Sequence, residues 1–107
     1  MSRHYVGEKF WAAVYSLNAG PRSLQRKLSS AGQELHLLKP EDFKDLPQPI
    51  LKAWEKLKFD LTADMRGSYE GSLDSTADTM SDETAERIAS EIRRIYDELK
   101  ALGFGLD

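Results

Sequence analysis

Apolar residues recur along this chain at steps of three and four, with no run that alternates apolar and polar. That spacing is the signature of helices with one buried face. It is clearest over 81–104, where Ala85, Ile88, Ile92, Ile95, Leu99 and Leu102 form a stripe that Ala89 and Tyr96 widen. At about 3.6 residues per turn, the segment predicts an amphipathic helix of about six turns. Ser81 suits the N-cap, since its hydroxyl can accept from a backbone N–H one turn in. Met80 and Ala85 stand where a hydrophobic staple forms. Asp82, Glu83 and Glu86 lie at the positive end of the helix dipole and Lys100 at the negative end. Gly103 suits the left-handed position after the last turn, with Phe104 folding back toward Leu99.

Three further helical segments follow from the same pattern. Val6, Phe10, Ala13, Val14 and Leu17 share a face, which predicts a helix over about 3–18 that ends at Asn18-Ala19-Gly20-Pro21. Leu24, Leu28, Ala31, Leu35 and Leu38 predict a second, from about Pro21 to just before Lys39-Pro40. Gly32 in its middle weakens it by about 1 kcal/mol relative to alanine and marks a place for a kink or break. Pro40-Glu41-Asp42-Phe43 suits one short helical turn. Pro47 and Pro49 then open a segment carrying Ile50, Trp54, Leu57 and Leu61 at steps of four, three and four.

Between 64 and 80 the chain turns polar and rich in glycine, serine and threonine. Leu73, Ala77 and Met80 keep a helical step there, so 72–79 reads as a short helix or as a loop. The expected fold is all-α: one compact domain over 1–107, a bundle of three long helices plus one or two short ones.

At 107 residues the chain can bury a real core without staples. It has no cysteine, which excludes disulfides, thiolate metal sites and cysteine nucleophiles. No apolar run approaches the roughly 20 residues that cross a bilayer, and the first ten lack the apolar stretch of a secretory signal. A soluble cytoplasmic protein with no membrane partner is the expectation. The net charge of −3 hides an asymmetry. Residues 1–58 carry ten cations against six acids, and residues 59–107 carry five against twelve. Such a split reads as internal complementarity, a basic face or an acidic one.

No catalytic, cofactor-binding or metal-ligating set is legible. His4 and His36 are 32 residues apart and neither begins a metal-binding spacing. Gly67 and Gly71 are not followed by the Gly-Lys-Ser/Thr of a phosphate loop. Glu70, Asp74, Asp78, Asp82 and Glu86 fall every four residues. On one helix they would make a carboxylate row that could attract a divalent cation, mimic a phosphate backbone or meet a basic partner, although like charges at that spacing repel, hard cations want converging oxygens and Ser81 marks a fresh helix start.

Trp54 lies on the apolar stripe of its helix, which makes it a core residue. Trp11 falls off the main seam of the first helix, where it suits the flank of a groove or an interface; Trp11, Trp54, Tyr5 and Tyr15 read together as an alternative stacking or ligand-binding set. Exposed large aromatics are enriched at interfaces. The expected protein interface therefore comprises Trp11 and the C-terminal seam residues Ile88, Ile92, Ile95, Tyr96 and Leu99. That seam is too short for a confident coiled coil but suits pairing within a bundle or across a two-fold axis.

The segment Leu17-Asn18-Ala19-Gly20-Pro21-Arg22-Ser23-Leu24-Gln25-Arg26-Lys27-Leu28 resembles the turn and recognition helix of AraC-type helix-turn-helix regulators. In that family the helix enters the DNA major groove. The resemblance implies contacts to bases or phosphates from Arg22, Ser23, Gln25 and Arg26 within a unit around 13–35. It covers roughly 20 of the 107 residues, and the net acidity departs from the usual basic character of DNA-binding domains. The combination of GEKFWAAV, LKPEDF, SYEGSLDST and MSDETAERIASEIRRIYDEL also resembles small uncharacterised bacterial helical proteins. Three functions follow as expectations. The first is a non-enzymatic helical module that binds a protein or itself, as a homodimer through the C-terminal helix. The alternatives are a small DNA-binding regulator and an acidic inhibitor or decoy acting through 64–86.

Overall fold

The computed structural model describes residues 5–61 and 80–104. Among these there are four α-helices and one 3-10 turn, and no strand. We label them α1 (Tyr5–Asn18), α2 (Leu24–His36), α3 (Gln48–Leu61) and α4 (Asp82–Ala101), with the 3-10 turn at Pro40–Phe43. The fold is all-helical, as expected, but three long helices plus short ones is not the arrangement found. α1, α2 and α3 are near equals of 14, 13 and 14 residues, and α4 is the long one at 20. The short helix expected over 72–79 lies outside the described residues.

Local chemistry sets the boundaries. α2 begins later than Pro21 because Ser23, in extended conformation, accepts the Arg26 N–H with its side chain. Gly20, at φ +76°, turns the chain between α1 and α2. α2 then runs unbroken through Gly32, which is buried against the bundle. Pro49 occupies the first turn of α3, where a missing N–H costs nothing. At α4 the Ser81 hydroxyl accepts from the Thr84 N–H at 3.2 Å. The far end closes as a Schellman motif: Phe104 N–H reaches Leu99 C=O at 2.8 Å and Gly103 N–H reaches Lys100 C=O at 3.0 Å. Gly103 takes φ +92° there, a conformation that favours glycine.

The helices bury their stripes in one continuous core. α1 contributes Val6, Phe10, Ala13 and Leu17, and α2 contributes Leu28, Ala31 and Leu35. α3 adds Ile50, Trp54, Leu57 and Leu61, and α4 adds its whole seam from Ala85 to Leu99. Trp54 is central. Its ring packs on Phe43 with centroids 4.9 Å apart, and its indole N–H donates to the Leu35 carbonyl at 3.0 Å. That bond gives a second donor to a carbonyl at the end of α2, which also accepts the Leu38 N–H at 3.2 Å. The α1–α2 hairpin is the most extensive pairing, and Lys9 and Glu34 pair across it at 3.5 Å. No described helix is long and apolar enough to cross a membrane.

Candidate interaction surface

The exposed large aromatics of the first helix gather on the side turned away from its core stripe. Trp11 and Tyr15, one turn apart, stack with ring centroids 5.6 Å apart and planes inclined by 18°. They remain 39% and 63% exposed. Helix geometry brings residues four apart together, so the pair is preformed on a rigid helix. Tyr5 is also exposed, and the Lys9 ammonium sits 5.4 Å from its ring centre. The three rings leave roughly 300 Å² open to solvent, against the ~800 Å² per partner of a standard interface. On that scale the rings are an anchor, and a partner must also touch neighbouring side chains.

Two contacts tie α4 beside this face in antiparallel sense. Near the start of α1, the Phe104 backbone lies directly on Gly7: a Cβ there would stand 1.9 Å from the Phe104 carbonyl oxygen. At its end, the Arg93 guanidinium donates to the Asn18 side-chain carbonyl at 3.3 Å. Trp11 and Tyr15 fall between these points along α1.

The remaining residues expected at an interface are placed differently. Ile88, Ile92, Ile95, Tyr96 and Leu99 are all buried within the chain, none more than 4% exposed. α1, α2 and α3 cover them, so the C-terminal seam is core here and offers no surface for a second copy. Trp11 alone of that set faces solvent. Its companion Tyr15 follows from the sequence by its step of four from Trp11 on the non-core side.

At the start of α2 the candidate DNA contacts divide. Arg22, Ser23 and Arg26 are exposed. Ser23 is occupied as the cap of α2. Gln25 is half-buried and its amide N–H₂ donates to the Met80 carbonyl at 3.2 Å and to the Asp82 carboxylate at 2.7 Å. It therefore fastens the entry of α4 to α2. Most of the acidic stretch 64–86 lies outside the described residues. Of its five regularly spaced acids only Asp82 and Glu86 are described, and Asp82 is the acceptor for Gln25.

Polar side chains elsewhere form structural pairs. Arg94 bridges Glu91 and Glu98 on the outside of α4, and its hydrogen bond holds the Glu91 carboxyl below the usual carboxylate range. Between α3 and α4 a half-open groove of about 180 Å³ is lined by Ala53, Lys56, Leu57, Asp60, Arg87 and Glu91. Asp60 pairs with Lys56 of its own helix at 3.5 Å and with Arg87 across the groove at 3.7 Å. His36 has its pKa lowered, first by burial and then by the nearby Lys58 charge. Among the described residues no three histidine or acidic side chains are placed to hold a metal ion. No protein-family model, curated protein or solved structure matches the chain.

Proposed function

We propose that the chain is a non-enzymatic protein-interaction module of the bacterial cytoplasm, and that it engages its partner through the outer face of α1. The observation that carries this reading is the exposed, stacked Trp11–Tyr15 pair. Tryptophan and tyrosine dominate binding hot spots because they bring large apolar area at little cost in side-chain entropy. The rings sit on a helix already docked on the core through Phe10 and Ala13, so little ordering is needed on binding. The partner is another protein or a second copy of the chain meeting α1 with its own apolar patch. Lack of cysteine suits a reducing compartment.

A DNA-binding role keeps some support from Arg22 and Arg26, which stand exposed at the start of α2. It ranks second because groove reading by Gln25 would require breaking its bonds to Met80 and Asp82. Asp82 also sets a carboxylate beside the surface that would meet phosphates.

The test pairs the wild-type chain with Trp11→Ser/Tyr15→Ser as baits in extract of the source cells, with sedimentation of each alone. The proposal expects a protein, or a self-associated species, that the wild type forms and the double variant loses while keeping its circular dichroism. Identical retention and identical sedimentation by two folded baits refute it. In parallel, Arg22→Ala/Arg26→Ala is titrated against mixed duplex DNA at low and near-physiological salt. Salt-sensitive binding by the wild type that this variant loses would move the DNA reading first.

A further inference from the structure

We draw no further inference here: the strongest candidate, the half-open groove between α3 and α4, has Lys56 and Arg87 already answered by Asp60 and Glu91 by Arg94, and it lies beside the end of α3, where the described residues stop.

Discussion

Gly7→Ala should destabilise the protein, although alanine is the better helix former. Gly7 lies in the first turns of α1, and a Cβ at that position would stand 1.9 Å from the Phe104 carbonyl oxygen and 3.0 Å from its carbon. Both atoms are backbone, held by the Schellman bonds at the end of α4, so no side-chain rotation relieves the overlap. The simplest relief is for Gly103–Phe104 to lift away. That forfeits two hydrogen bonds, worth about 1 kcal/mol each. It also forfeits the burial of half a phenylalanine, worth about another 1 kcal/mol. Against this total of about 3 kcal/mol stands a helix-propensity gain of up to about 1 kcal/mol. The expected net loss is about 2 kcal/mol, or roughly 10 °C in Tm for a domain of this size.

Urea unfolding followed by circular dichroism measures that loss. The same substitution in a chain ending at Leu102 supplies the decisive comparison. With Phe104 gone, the added methyl meets no carbonyl and Gly7→Ala should become neutral or stabilising by up to about 1 kcal/mol. The new terminal carboxylate affects both members of that comparison alike. A stabilising Gly7→Ala in the full chain, or an equal effect in both backgrounds, would refute the reasoning.

Trp54→Phe removes the indole donor to Leu35 and leaves a small cavity beside Phe43, which should cost about 2–3 kcal/mol by chemical unfolding. Ile92→Asp places a carboxylate at a fully buried core position, so it should leave an unfolded chain by circular dichroism; a folded protein would contradict the placement of the seam. Ser81→Ala should cost about 1 kcal/mol through loss of the α4 cap, with helix content otherwise unchanged in the remaining folded protein. Because burial and Lys58 lower the His36 pKa in the folded state, the unfolded chain takes up that proton first as pH falls. Stability from this group is therefore full well above pH 6.5 and declines as pH drops through it toward the folded value. His36→Gln should flatten the urea midpoint between about pH 7.5 and 5; an unchanged slope would show that His36 does not carry it.

Much of the architecture is local chemistry and so legible in one dimension. The stripe of α4, its Ser81 cap and its Gly103 terminus all depend on residues within a turn of one another. The start of α2 at Ser23 rather than Pro21 depends on one side-chain bond, which periodicity cannot see. Gly32 weakens an isolated helix, but its burial against the bundle lets α2 continue through it. Three long helices is one too few: four segments of the sequence carry a helical stripe, and each is an α-helix in the structure.

The candidate site was less legible because an apolar stripe does not say what covers it. Ile88, Ile92, Ile95, Tyr96 and Leu99 would look the same in a dimer seam or a private core, and here the chain's own α1, α2 and α3 cover them. Trp11 is recognisable from the sequence as an exposed aromatic because it falls off its helix's core face. The helix-turn-helix-like segment points to Gln25 as a base contact. Its partners Met80 and Asp82 stand 55 and 57 residues away, beyond the reach of any local pattern.

The central claim is that binding occurs on the outer face of α1. Site-specific photocrosslinking in the source cells tests it most directly, with a benzophenone side chain replacing Tyr15 in one variant and Phe59 in another. Both residues are 63% exposed aromatics, on α1 and α3 respectively, so exposure alone does not distinguish them. Binding on that face gives a discrete light-dependent adduct from position 15 and none from position 59. No adduct from 15, or the same adduct from both positions, would contradict it.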